Sequence, residues 1–386
     1  MKNSKNKFQS GDVFAVSFAH MVHDIYSSFL APVLPILIEK LGISYSQVGF
    51  LSVAQRLPSL LNPFIGMIAD KVSIRYFIIV APSITAICMS LMGVAPSYAV
   101  LVILLFVMGI SSTLFHVPAP VMIKETSGDK IGKGMSFYML GGELARTVGP
   151  LIILGAVSLW GIEGTYRLIP FGLAASALLY IKIKNIKISN KFKKDKKISG
   201  TKETFLQFMP LFITLGGITF FRAFIKGALT TFLPTYLNMN GQSLWIAGIS
   251  LAILEGAGAV GAISAGTLSD KIGRKKMMLI ISIVSPILMW LFIISNSFFL
   301  FPILILLGFF LFATGPVMLA EINDMKTDRP AFINGIYMTL NFSISAMSIM
   351  LMGIMGDLTG LENTYILSAV LSVGAIPFVF RLSSKA

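Results

Sequence analysis

Gly266-Thr-Leu-Ser-Asp270-Lys271-Ile-Gly273-Arg274-Lys275-Lys276 separates two long apolar runs. About 200 residues earlier stands an echo, Gly66-Met-Ile-Ala-Asp70-Lys71-Val-Ser73-Ile-Arg75. Each copy closes one apolar run, turns with a carboxylate and cations, and opens another. The apolar flanks put both turns at a membrane surface, and the cations put that surface on the cytoplasmic side. The glycines allow two helices to approach closely where the chain re-enters. The first copy departs from the second in having Ser73 for glycine and Arg75 as its only later cation.

Composition agrees with this reading. Of 386 residues 55% are hydrophobic and only 12% charged, against roughly 25% charged in soluble chains. An integral membrane protein of many helices is expected. The formal charge of +14 does not point to nucleic acid, because it is distributed by side. Nine lysines lie between Lys182 and Lys202, and others in the amino-terminal tail, around Lys124–Lys133 and Lys271–Lys276, and at Lys326 and Arg329. The alternate loops carry little beyond Lys40 and Arg167. This is the positive-inside asymmetry of a cell membrane protein with both termini cytoplasmic; a basic interaction tail is the lesser alternative. Cys88 is the single cysteine, which excludes an intrachain disulfide. The first apolar run is too long for a signal peptide and lacks a small-residue cleavage site.

Runs long enough to cross a ~30 Å hydrocarbon core fall at about 13–38, 46–69, 74–95, 98–122, 134–157 and 161–181, then at about 205–237, 243–268, 276–295, 298–321, 332–354 and 361–381. Twelve spans are expected, as two six-helix halves (1–181 and 205–386) joined by a polar, lysine-rich cytoplasmic linker over 182–204. The halves are related. Leu34-Pro35 with Gly42 and Gly49 matches Leu233-Pro234 with Gly241 and Gly248. Pro120-Val121-Met122 matches Pro316-Val317-Met318, and Tyr138-Met139 matches Tyr337-Met338.

Ionisable groups at mid-bilayer cost at least ~2.5–3.5 kcal/mol on insertion scales, so each needs a partner or a wet cavity. Here they are His20, His23, Asp24, Arg56, His116, Glu143, Arg146, Arg222, Lys226 and Glu255. On the first span Ser17, His20, Asp24 and Ser27 form one polar stripe, and on the seventh Thr219, Arg222, Lys226 and Thr230 do the same. Glu143 and Arg146 share a face of the fifth, and Asn334, Tyr337 and Asn341 one of the eleventh. Such stripes point to a shared wet interior; the bland alternative is fixed ion pairs that hold helices together. Asp24 is expected to reach Arg56, and Glu143 or Arg146 to reach Glu255. Four fixed bases against three acids favour an anionic or partly anionic substrate. For His116 the bland reading is an imidazole satisfied by a backbone carbonyl. His20 and His23 beside Asp24 suit proton handling, and a metal site needs more ligands than that cluster offers.

The pattern G-x-x-x-D-[RK]-x-G-[RK]-[RK], twice at equivalent places, resembles the loop motif of the major facilitator superfamily. The first span, His20-Met-Val-His23-Asp24-Ile-Tyr26-Ser-Ser-Phe29, and Gly109-Ile-Ser-Ser-Thr-Leu-Phe115-His116 in the fourth are similar to the fosmidomycin-resistance branch. His23 stands where that branch has asparagine, and Val117 where it has proline. Gly142-x6-Gly149-Pro150 resembles the glycine–proline pattern of facilitator exporters. The resemblance implies parallel six-helix halves and a proton-driven exporter of small polar drugs, with the substrate site near the midplane.

The leading expectation is therefore a secondary transporter working by alternating access, a proton-coupled exporter of a small polar or anionic compound or drug. A symporter or facilitator importing an organic anion or sugar is the alternative, and a non-transporting membrane sensor the remote one. Arg56, Arg146, Arg222, Lys226, His116, Tyr26 and Asn341 are expected to meet substrate, and Asp24, His20, His23, Glu143 and Glu255 to handle protons. Gly66, Asp70, Lys71, Arg75, Gly266, Asp270, Lys271 and Arg274 are expected at a cytoplasmic gate. No G-x-x-x-x-G-K-[ST] occurs, so energy is expected to come from an ion or solute gradient, or from none. Neither a cofactor nor enzyme chemistry is expected; the partners are substrate, protons and lipid, and the chain is expected to act as a monomer.

The charge asymmetry makes a topological prediction. In a Cys88→Ala background, cysteines placed at Lys191 and Lys275 should be shielded from an impermeant thiol reagent in intact cells, and cysteines at Asn240 and Glu362 labelled. Labelling at 191 from outside would overturn the map.

Overall fold

The computed structural model describes residues 8–62, 74–184, 201–296, 298–324 and 330–382, and its regular elements are all helical. Gly66, Asp70, Lys71 and most of the expected linker lie outside these residues. The helices are α1 Ser10–Ser27, α2 Leu30–Leu41, α3 Tyr45–Arg56, α4 Ile74–Ser90, α5 Tyr98–His116, α6 Ala119–Thr126, α7 Ile131–Trp160 and α8 Ile169–Ile183. There follow α9 Thr201–Gly227, α10 Leu233–Met239, α11 Leu244–Ile272, α12 Arg274–Ile294, α13 Leu300–Asn323, α14 Pro330–Ser372 and α15 Ala375–Phe380.

Among the described residues ten helical stretches are long and apolar enough to cross a membrane. Two features separate this number from the twelve expected spans. The second span runs out of the described residues after position 62. The last two join in the stretch Gly335–Phe380, where the break falls at Gly360 with φ 82°, a conformation that glycine adopts without steric penalty.

Prolines mark the interruptions. α1 and α2 are separated at Ser28-Phe29, four residues before Pro32, whose ring opposes the carbonyl at that distance and which has no N–H to offer it. Pro234 acts likewise on Thr230, inside a π-helical turn over Ala228–Phe232 that links α9 to α10.

By contact the chain divides into two units. The first comprises Met1–Ile43 and Ala54–Asp195, with Val13, Val16, Ile78, Phe115, Met122 and Tyr138 in its core. In it α1 lies against α7 so closely that a Cβ at Gly141 would stand 2.5 Å from the Ser17 carbonyl oxygen. The second comprises Ser44–Val53 and Lys196–Ala386, with Phe212, Ile281, Met318, Ile333 and Tyr337 in its core. Ser44–Val53 groups there through the start of α3. Ser44 and Gln47 form a capping box, Ser44 N–H donating to Gln47 Oε1 at 2.9 Å and Gln47 N–H to Ser44 Oγ at 3.2 Å. The Asp357 carboxylate then accepts from the N–H groups of Tyr45 (2.7 Å) and Ser46 (3.0 Å). An anion on those free amide groups also complements the helix dipole, worth ~0.3–1 kcal/mol.

The second unit's tightest packing is α11 on α13. A Cβ at Gly261 would collide with the backbone of Phe309, and one at Gly308 with the Leu254 carbonyl. Gly261→Ala should therefore lower the melting temperature in detergent, at ~1–3 kcal/mol as overpacking usually does. Gly155→Ala, with no described atom within 4 Å of its Cβ position, should be nearly neutral. Equal melting temperatures for the two variants would contradict this packing.

Candidate functional site

The stripe on α1 ends in a cluster around one carboxylate. Asp24 Oδ1 lies 2.9 Å from His23 Nδ1 and 3.2 Å from His116 Nε2 of α5, and its Oδ2 lies 3.2 Å from His20 Nε2. The Asp24 side chain is 14% exposed, and His116, the open side of the cluster, 39%. Aromatic rings hold the imidazole planes. His20 stacks on Tyr138 with centroids 3.9 Å apart, and His23 on Phe115 at 4.9 Å. α7 contributes bare backbone at Gly142, where a Cβ would stand 2.7 Å from His20 Cε1 and 3.3 Å from Asp24 Oδ2.

Hydrogen-bond chemistry decides where protons sit. His20 Nδ1 is 2.7 Å from the backbone carbonyl of Tyr138, which can only accept, so Nδ1 carries a hydrogen. In a neutral imidazole Nε2 is then a lone pair facing a carboxylate oxygen. Two acceptors at 3.2 Å repel unless one proton is added, on Oδ2 or on Nε2. His23 donates from Nδ1 to Oδ1, leaving its buried Nε2 without a hydrogen-bond partner among the described residues. His116 donates from Nε2 to the same oxygen while its Nδ1 faces the Tyr138 hydroxyl at 3.4 Å. The arrangement can therefore accommodate one proton between Asp24 and His20. With it the cluster is neutral; without it a buried negative charge remains.

Several expectations change here. Asp24 meets three imidazoles in place of Arg56, which makes no ion pair among the described residues. It is His20 that takes the backbone carbonyl, while His116 faces the carboxylate. Tyr26, expected to meet substrate, is buried with its hydroxyl donated to the Leu168 carbonyl at 2.5 Å, and so serves packing. Glu143 and Arg146 pair with each other one turn apart on α7. Glu255 is buried on α11.

In the second unit the α9 stripe lines a cavity of about 100 Å³ together with α13 and α14. Arg222, Lys226 and Asn341 meet there, with Thr219, Thr314 and Tyr337. Arg222 is 5% exposed, and its Nε and Nη2 have no hydrogen-bond partner among the described residues. Lys226 Nζ stands 5.3 Å from the centroid of the Phe312 ring.

At the complete loop motif Arg274 is the hub. It pairs with Asp270 at 2.5 Å and with Asp324, just past α13, at 3.1 Å, and it donates to Ser269 Oγ and the Gly266 carbonyl. Gly273 has φ 90°, which requires glycine. Gly266, expected at a close approach, has no described atom within 4 Å of its Cβ position. Arg75 of the first copy lies over the Tyr76 ring at 5.2 Å. Asp324 and Asp357 were missed in the sequence reading because each follows or interrupts an apolar run with no motif around it. Tyr138 was noted only as a repeat marker.

Comparison with known proteins places the chain. The family model of the Major Facilitator Superfamily matches residues 16–349 and 255–386. The fosmidomycin resistance protein of Escherichia coli (strain K12) is 22% identical over 386 residues, covering 98% of this chain and 94% of that protein. The multi-drug resistance efflux pump PmrA of Streptococcus pneumoniae is 24% identical over 298 residues, 75% of this chain and 73% of its own. Among solved structures, an inward-facing, unoccupied bacterial homologue of the human lysosomal transporter Spinster superposes with a TM-score of 0.84 at 16% identity, covering 98% of this chain and 97% of that one. A D-xylose-proton symporter gives 0.79 at 14% identity, over 97% and 98%. A family match spanning nearly the whole chain, on an all-helical fold shared with solved transporters, makes this protein a member of the Major Facilitator Superfamily, a multi-pass membrane transporter.

Proposed function

We propose that this transporter is a proton-coupled exporter of a small polar or anionic compound, working as a monomer by alternating access in the cytoplasmic membrane with both termini inside. The observation that carries the reading is the Asp24 carboxylate faced by three imidazoles. A coupled carrier needs a group that is protonated in one state and released in another. Loss of the proton leaves a negative charge that the facing imidazoles must answer. Any motion of α1 relative to α5 or α7 changes how many donors reach that charge, so proton release and helix position are linked. Outward direction is supported by what the relatives' names say of those proteins, resistance in one case and efflux in the other. Import on the same fold remains the alternative.

Asp24→Asn should abolish accumulation driven by an imposed pH gradient in proteoliposomes while leaving substrate counterflow, which needs conformational exchange but no net proton movement. Glu143→Gln and Glu255→Gln are the comparisons. Full pH-driven accumulation in Asp24→Asn, with loss in either comparison, would move the proton site to α7 or α11.

The loop motif makes a separate prediction. An ion pair as exposed as Asp270–Arg274 contributes only ~0–1 kcal/mol to stability, so its weight falls on the balance of facing states, where ~1.4 kcal/mol is tenfold. Asp270→Asn should slow turnover severely and change substrate affinity by less than about threefold. Lost binding with unchanged turnover would contradict a gating role.

A further inference from the structure

We propose that the cavity of the second unit lined by Arg222, Lys226, Thr314, Tyr337 and Asn341 binds an oxyanion, so that the cargo is a small molecule carrying a carboxylate, phosphate, phosphonate or sulfonate group. As a statement about cargo this rests on the exporter reading; as a binding site it stands alone.

A guanidinium stays charged throughout the accessible pH range and presents a planar fork of donors. Burying one without a counter-charge is strongly unfavourable, and folded proteins ordinarily answer it with an acid. Arg222 has no such answer. It forms no ion pair among the described residues, and no carboxylate lines its cavity. Glu255 and Glu321, buried in the same unit, are not among the lining residues.

Thr314, Tyr337 and Asn341 add polar groups to the same cavity. Thr314 Oγ1 is buried without a hydrogen-bond partner among the described residues. The Tyr337 hydroxyl and the Asn341 amide make no hydrogen bond among them either. Lys226 adds a second cation at the exposed edge, held against the face of Phe312. Three different helices thus supply a forked cation, a point cation, two hydroxyls and an amide to one space. Its volume of about 100 Å³ is several times the ~10–15 Å³ that one water occupies on this measure. That suits the anionic head of a small molecule; the remainder must lie outside.

The test uses the purified full-length protein in neutral detergent, with no gradient, titrated with inorganic phosphate, sulfate and acetate and with acetamide as the uncharged control. Calorimetry and thermal stabilisation report binding. Saturable binding of at least one anion, and none of acetamide, is expected for the natural chain. Arg222→Gln should weaken it about tenfold or more, and Arg222→Lys, which keeps the charge but loses the fork, by less. Asn341→Asp, which brings a competing negative charge into the cavity, should abolish it without removing the arginine.

One further readout separates a binding arginine from a structural one. Without ligand, Arg222→Gln should melt at the same temperature as the natural chain or higher, because it removes an uncompensated buried charge. A lower melting temperature together with no anion response in the natural chain would overturn the site. Response only in nanodiscs of anionic lipid, and to none of the soluble anions, would assign the cavity to a lipid headgroup and overturn the cargo reading. Anion binding that holds at Arg222 while pH-driven transport fails would refute the coupling reading alone. Intact pH-driven transport with no anion binding would refute this one alone.

Discussion

Hydrocarbon offers no hydrogen bonds, and that one fact organises this molecule. Every amide in a membrane-spanning segment must find its partner within the chain, which leaves helices as the means of crossing for a chain of this pattern. The same lack of water bears on side chains. Asp24 can lie in the interior of the first unit because His23 and His116 face one of its oxygens and His20 the other. Glu143 and Arg146 neutralise each other on one helix turn. Tyr26 and Tyr365 each give their hydroxyl to a carbonyl, Leu168 and Ala228, in the two units.

The internal repeat shows what was kept and what diverged. On the offset set by Leu34-Pro35 and Leu233-Pro234, His20 and His23 correspond to Thr219 and Arg222. One copy carries imidazoles set against a carboxylate; the other carries a guanidinium that lines a cavity. Tyr138 and Tyr337 keep equivalent places in the two cores, yet Tyr138 stacks on an imidazole and Tyr337 faces a basic cavity. Each copy interrupts the helix of His20 or Arg222 ahead of a proline, Pro32 in one and Pro234 in the other, although on that offset Pro32 corresponds to Thr231. The polar stripes were free to change, since each only has to be satisfied by its own surroundings.

The legible part of the fold was the part set by short-range chemistry. Long apolar runs, lysines on alternate loops, paired prolines and glycines, and the motif around Asp270 describe a helical membrane protein with a repeat, because length, hydropathy and charge act wherever the chain goes. Periodicity also put His20 with Asp24 and Arg222 with Lys226, since residues three or four apart share a helix face. It could not say what each face meets. A helix sequence carries depth but not azimuth, so Asp24 was matched with Arg56 when its partners were His116 and its own neighbours, and Tyr26 was given to substrate when the Leu168 carbonyl held it.

Tertiary structure alone decided which distant groups converge. His116 is 92 positions from Asp24, and no local rule links them; α5 packing brings the two within 3.2 Å. Asp357 stands 312 positions from the Tyr45 amide it caps, and Asp324 fifty from Arg274, each in a stretch that no motif marks. That Arg222 makes no ion pair among the described residues is likewise decided by packing, because Glu321 lies on one of the same helices yet does not line the cavity. The sequence by itself determined that the chain crosses a membrane many times, on which side its cations should lie, and which side chains would need an explanation there. Packing determined the explanations, because a charge in hydrocarbon is satisfied through space and the chain path that brings its partner is written in no single stretch.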